Sequence, residues 1–179
     1  MSEPVLTAQD VLKWYESTSG YWRSFLAEHP DILALPCDIA GAKTVAEFLQ
    51  HIVVVELRWS ERLAHLPESS YDQAHFDSVE ALYATHDQAT AIYKRALAAD
   101  TDWDHIIDFQ TRTYGPARAS AKTILFHGLL HSIRHYAQLG TLVRQHGYKP
   151  TLPGDYLFTH VELVHPTGAT PSISNIPRS

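Results

Sequence analysis

Three histidines recur at a spacing of four within residues 126–140: His127, His131 and His135. On an α-helix with 3.6 residues per turn, side chains four positions apart lie on one face. Neutral imidazole is a good ligand for zinc, nickel, iron or copper, and the H-x-x-x-H spacing lets two rings reach one ion. The pattern therefore raises three hypotheses for the stripe: a metal site, a proton-handling site or simple packing.

A metal site needs a third ligand from another element, and His51 is the best candidate. It lies beside Ile52 and Val55, on the apolar side of a predicted helix, and would face the protein interior. Simpler explanations exist for both features. An isolated H-x-x-x-H pair is usually incidental on a solvated helix, and a lone histidine on an apolar face usually packs in the core. Periodicity alone leaves these alternatives open.

Four segments carry helical patterns that would position these histidines. The first begins at Thr7, with Asp10 completing a capping box, and ends near residues 28–30. The second begins at the N-cap Thr44, with Glu47 three residues later, and continues to about Leu66. A third is predicted from the cap Asp77 to Ala99, and a fourth from Ser120 to His146, before Gly147.

The remaining segments are predicted to be irregular. Residues 100–119 alternate enough to permit a short hairpin or two extended segments. Residues 151–179 contain prolines and little periodicity, which predicts an irregular tail folded over the helices or across a partner subunit. The sequence thus predicts an all-α fold, an up-down four-helix bundle over residues 1–150 followed by this tail.

Composition narrows the class of protein. A formal net charge of −6, from 14 basic and 20 acidic residues, argues against a nucleic-acid binder. The single cysteine, Cys37, excludes an internal disulfide and suits a reducing compartment. No signal-like segment begins the chain, and no apolar run approaches the roughly 20 residues of a membrane span. We expect a cytoplasmic protein that binds neither nucleic acid nor membranes.

Two stretches resemble the DinB-like family of four-helix-bundle proteins (damage-inducible, YfiT-type). The first, LQHIVVVELRWSERL, places His51 early in the second helix. The second runs His131-Ser-Ile-Arg-His135-Tyr-Ala-Gln138 and closes with LVRQHG at Gly147. The resemblance is specific in these two regions, covers residues 7–150 in helix order, and does not extend to the tail.

The resemblance implies a divalent metal, most often zinc or nickel, bound by His51, His131 and His135. His127 lies outside this pattern and is predicted to assist proton movement, to support a ligand or to pack; packing is its simplest interpretation. Gln138 is predicted to hydrogen-bond the free ring nitrogen of His135 or a bound water, with a helix–helix hydrogen bond as the alternative. We name His127 and Gln138 as the candidate catalytic residues.

Three protein ligands leave one coordination position open, as in catalytic sites. The resemblance implies an enzyme that activates a low-molecular-weight thiol at that position, of the transferase or isomerase type, acting on a small-molecule substrate as a homodimer. Two alternatives remain at this point. One is a metal-dependent hydrolase, although no Glu follows the first histidine as in H-E-x-x-H. The other is a non-catalytic stress-response or metal-binding dimeric bundle.

Overall fold

The computed structural model describes residues 5–111, 114–151 and 154–159, and its main elements are helices. The four α-helices of these residues are α1 (Ala8–Glu28), α2 (Val45–Leu63), α3 (Val79–Ala98) and α4 (Ala121–Gln145). Between α3 and α4, strands β1 (Ile106–Thr111) and β2 (Gly115–Ser120) form an antiparallel hairpin that pairs Ile107 with Ala119. The four predicted helices are thus confirmed, and the all-α prediction is incomplete because a two-stranded sheet is present.

Helix ends follow local capping chemistry. Thr7 and Asp10 form the predicted reciprocal capping box at the start of α1. At the start of α2, Thr44 accepts the Glu47 backbone N–H at 3.2 Å, but the Glu47 carboxylate accepts the N–H of Lys43 rather than that of Thr44. The predicted cap of α3 is wrong by one residue, since Ser78 accepts the N–H of Ala81 there.

The helices pack through two apolar clusters. α2 lies against both α3 and α4, and α1 lies against α4 and α3. Toward one end, Phe48, Ile52 and Tyr136 belong to a cluster that includes Trp22. Toward the other end, Tyr15, Leu57 and Tyr93 belong to a second cluster, which also contacts the hairpin through Phe109. The interface between α2 and α4 therefore runs through the protein interior.

A short part of the predicted tail lies on α1. The indole N–H of Trp14 donates to the carbonyl of Gly154 at 2.8 Å, and the Trp14 ring meets Tyr156 edge-on at 5.6 Å. The backbone N–H of Thr151 donates to the Tyr21 hydroxyl at 2.6 Å. These contacts place Thr151, Gly154 and Tyr156 against α1. The remainder of the predicted tail lies outside the described residues.

Among the described residues, no helix combines the length and the apolar character that crossing a lipid bilayer requires.

Candidate metal centre

The three predicted ligands come together at the interface of α2 and α4. His51 lies in the second turn of α2, beside the fully buried Ile52, and His131 and His135 lie one turn apart on α4. Packing of α2 on α4 turns the three rings toward one another. The ring centroid of His51 lies 5.3 Å from that of His131 and 5.1 Å from that of His135.

The separations of the ring nitrogens suit a single ion. One nitrogen from each of the three rings lies within 4.8 Å of the other two. The Nε2 atoms of His131 and His135 are 3.1 Å apart. Two nitrogens bound at roughly 2.0–2.1 Å to one tetrahedral ion would stand about 3.3 Å apart. The donor set and its spacing therefore fit a divalent metal of the kind that imidazole binds.

Hydrogen bonds fix two of the three rings. The Nδ1–H of His135 donates to the Gln138 side-chain carbonyl at 2.6 Å, which leaves the Nε2 lone pair directed at the centre of the cluster. The Nδ1 of His51 shares a 3.3 Å hydrogen bond with the Tyr71 hydroxyl. Among the described residues, the buried Nδ1 of His131 has no hydrogen-bond partner.

Burial favours the neutral form of two of the three ligand rings, those of His131 and His135. Burial lowers the pKa of His131 to about 2, and the neighbouring His135 and His51 add to the effect. Burial also lowers the pKa of His135, although the hydrogen bond to Gln138 opposes this shift. Because a metal competes with protons for the imidazole lone pair, these directions favour metal binding near pH 7.

One cation lies against the cluster. The Nη2 of Arg134 donates to the Nε2 of His135 at 3.1 Å, so the guanidinium uses the same lone pair that a metal would take. Arg134 is exposed on α4 and has room to turn away. In the sequence, Arg134 directly precedes His135, the second histidine of the H-x-x-R-H pattern. This adjacency is the sequence signal for the contact.

His127 stands apart from the three converging nitrogens. Its ring lies 5.7 Å from that of His131 and packs edge-on against Trp59 at 4.7 Å. Burial lowers the pKa of His127, with Arg134 and Arg62 as smaller contributors. The ring is thus a neutral group beside the cluster, and its predicted part in proton movement stays a prediction.

A cavity of about 680 Å³ lies along α2, and the described residues that line it include none of the histidines. Tyr71, which contacts His51, lines it, and so do Val55 and Trp59 from the following turns of α2. Its far wall includes Gln110 of the hairpin. This volume lies within the range of roughly 300–1,000 Å³ that small-molecule sites occupy.

A buried acid–histidine pair was not predicted. Glu56 on α2 is fully buried, and one of its oxygens lies 2.8 Å from the Nδ1 of His86 on α3. The sequence signal for their burial was their position on the apolar faces of α2 and α3. Glu56 follows the buried Ile52 by one turn, and His86 follows the buried Leu82 by one turn.

Comparison with known protein families identifies the same family that the two motif regions resemble. The model of the DinB family matches residues 1–165 of the chain. No curated protein matches it significantly. The matched range includes all four helices, the hairpin and the three converging histidines. The chain therefore belongs to the DinB family.

Proposed function

We propose that the protein is a metal-dependent enzyme that uses a low-molecular-weight thiol to attack a small electrophilic substrate, as a transferase or isomerase. The observation that carries the proposal is the convergence of His51, His131 and His135 without a fourth donor. Among the described residues, no cysteine, carboxylate or further histidine joins this group. Three ligands that leave one coordination position open are typical of a catalytic centre rather than a structural one.

A divalent metal in this centre, zinc or nickel on the family resemblance, would favour the thiolate form of a thiol bound beside the three histidines. The protein would contribute orientation and a dry surrounding. Gln138 and Tyr71 hold the rings of His135 and His51, and Phe48 meets the His135 ring edge-on at 5.2 Å. His127, neutral near pH 7, would accept the proton that the substrate thiol releases.

The protein's own thiol is a poor candidate for the nucleophile. Cys37 lies in the loop between α1 and α2, partly buried, and burial raises the pKa of its thiol. A raised pKa reduces the thiolate fraction, which is the reactive form. An external thiol is therefore the better source of the nucleophile.

The two alternatives receive less support. A metal-dependent hydrolase of the H-E-x-x-H type would use a carboxylate as its general base, and no carboxylate of the described residues lies in the histidine group. A non-catalytic metal-binding protein would need no small-molecule cavity, whereas this protein has one of about 680 Å³ whose lining includes Tyr71, the hydrogen-bond partner of His51.

Cobalt substitution tests the proposal directly. We expect a thiolate-to-cobalt charge-transfer band when a low-molecular-weight thiol is added to the cobalt-loaded protein. His127→Ala should keep the band, because His127 is not a ligand, and His131→Ala should abolish it. A cobalt-loaded wild-type protein that gives no band with any of a panel of cellular thiols would contradict the proposal.

A further inference from the structure

The cavity of about 680 Å³ has a wall that carries charged side chains. Arg58 and Arg62 lie one turn apart on α2 and both line the cavity, and Glu68 is the one carboxylate among the described lining residues. Burial raises the pKa of Glu68, but the two guanidiniums outweigh burial and lower it overall, so the group stays ionised. Among the described residues that line the cavity, two guanidiniums and one carboxylate leave one unit of positive charge.

Arg62 is held rigidly in this wall. Its side chain is only 9% exposed, and its guanidinium carbon lies 4.4 Å from the Trp59 ring centroid and 5.1 Å from that of Phe109. Its Nε donates to Glu68 at 2.5 Å and its Nη2 donates to the carbonyl of Gln110 at 3.1 Å. The hairpin therefore fixes the orientation of a guanidinium that the helix supplies.

The guanidiniums retain hydrogen-bonding capacity. Contacts with described residues use the Nε and Nη2 of Arg62, and the Nη1 is not among the atoms they engage. Arg58 donates to Glu68 and to the carbonyl of Ser69, and its side chain is 31% exposed. A guanidinium carries five N–H donors in a planar fork that matches a carboxylate.

From these contacts we propose that the cavity is a subsite for a monoanionic carboxylate on a small molecule with an apolar body. Arg58 and Arg62 would receive the carboxylate, and Val55 and Trp59 would form the apolar wall. The single net positive charge fits a carboxylate better than a phosphate dianion, which Glu68 would repel. The hairpin, through Phe109 and Gln110, sets the position of the subsite.

The identity of the molecule that carries the carboxylate rests on the proposed function. Under that function, the carboxylate would belong either to the thiol or to the electrophile that the thiol attacks. Arg58 follows His51 by seven residues, about 10 Å along the helix axis at 1.5 Å per residue. A molecule that reached both the metal and Arg58 would therefore need a carboxylate several bonds away from its sulfur.

Binding of simple probes to the metal-free protein tests the subsite independently of the metal. Titration calorimetry would compare 3-phenylpropanoate with 3-phenylpropan-1-ol, which has a similar apolar body and no charge. We expect the acid to bind at least about tenfold more tightly, the effect of one charge-assisted hydrogen bond. Equal affinity for the acid and the alcohol would overturn the proposal.

Substitutions of the arginine and of the carboxylate in this wall should change the affinity for 3-phenylpropanoate in opposite directions. Arg58→Gln should weaken binding of 3-phenylpropanoate about tenfold, and Glu68→Gln should strengthen it severalfold by removing the competing carboxylate. Arg23→Gln is the matched control, because Arg23 is a paired surface arginine on α1 and does not line this cavity. An Arg58→Gln variant with unchanged affinity, and with an unaltered circular dichroism spectrum, would contradict the proposal. Arg58 is partly exposed, so this variant should fold.

Cobalt-loaded protein then identifies the source of the carboxylate. If the thiol carries it, 6-mercaptohexanoate will bind more tightly than 6-mercaptohexan-1-ol, and Arg58→Gln will remove that difference. If the electrophile carries it, the two thiols will bind equally and 3-phenylpropanoate will bind alongside them. Both results support the subsite. Loss of the cobalt band with the carboxylate preference intact would contradict the proposed function alone.

Discussion

The side-chain carbonyl of Gln138 accepts the Nδ1–H of His135 at 2.6 Å, three residues along the same helix. This contact determines which ring nitrogen of His135 carries the proton. With Nδ1 protonated, the Nε2 lone pair faces the Nε2 of His131, 3.1 Å away. Gln138 thus prepares one ligand of the candidate centre without entering the centre itself.

Replacing Gln138 with alanine should weaken metal binding by about 10- to 100-fold, because the ring loses its fixed tautomer and orientation. Competition with a chromophoric chelator measures the affinity. Gln145→Ala is the matched control, since Gln145 is exposed at the end of the same helix. A Gln138→Ala variant that binds metal as tightly as the control would show that the contact has no part in positioning His135.

Arg134 should oppose metal binding. Its Nη2 donates to the Nε2 of His135 at 3.1 Å, so it competes for a ligand lone pair and places a positive charge beside the metal. We expect Arg134→Ala to raise metal affinity severalfold, an effect that shrinks as salt is added. Arg144→Ala, an exposed arginine two to three turns later, should have no effect. A fall in affinity for Arg134→Ala would indicate instead that Arg134 supports the centre.

Gly128 lies on α4 next to His127 and lets this part of α4 pack closely against Tyr93 of α3 and Trp59 of α2. A Cβ at this position would overlap the hydroxyl of Tyr93 and lie 3.3 Å from the Cβ of Trp59. Gly128→Ala should therefore reduce the free energy of unfolding by about 1–3 kcal/mol, even though alanine favours helix.

Gly20 provides the opposite case within α1. A Cβ there would meet nothing within 4 Å, so Gly20→Ala should stabilise the protein by about 0.4–1 kcal/mol. Denaturant unfolding of the two variants checks both signs. Equal effects of the two substitutions would mean that helix propensity, rather than the contact with Tyr93, governs position 128.

The Glu56–His86 pair makes stability depend on pH. Burial lowers the pKa of His86, but the Glu56 carboxylate at 2.8 Å outweighs burial and raises the pKa above its usual value. The proton therefore stabilises the folded state below the unfolded pKa of about 6.5, and this contribution is lost as the pH rises through the folded pKa. The lowered pKa of His131 acts in the acid range instead, where stability rises with pH up to about 6.5.

We accordingly expect the free energy of unfolding of metal-free protein to decrease above about pH 6.5, by up to about 1.4 kcal/mol per unit of pH. His86→Gln should lack this decrease. Urea unfolding at a series of pH values measures it. A wild-type protein whose stability is flat or rising between pH 6.5 and 8 would contradict the assignment of a charged His86.

The histidine cluster was predicted through the resemblance to the DinB-like family. The helical spacing of His131 and His135 and the apolar helix face of His51 left incidental spacing and core packing open. The structure shows that packing of α2 on α4 brings the three rings together. The ends of α1 to α4 were predicted to within a few residues because caps such as Thr7 and Ser120 act on adjacent backbone groups.

Contacts between distant segments were not predicted. Tyr71 reaches His51 from a loop with no periodic pattern, and Phe109 reaches Arg62 from the hairpin. The hairpin itself was left open between paired and merely extended segments, since alternation alone does not fix pairing. The Glu56–His86 pair was missed because charged residues are seldom fully buried, so composition favours a solvated interpretation.

Metal content tests the central claim most directly. Protein purified without chelators, equilibrated with zinc or nickel and then gel-filtered, should retain about one ion per chain, the stoichiometry of a three-histidine centre. His51→Ala, His131→Ala and His135→Ala should each retain almost none, while His127→Ala should match the wild type. A wild-type protein without stoichiometric metal, or a loss in His127→Ala equal to that in His131→Ala, would contradict the account.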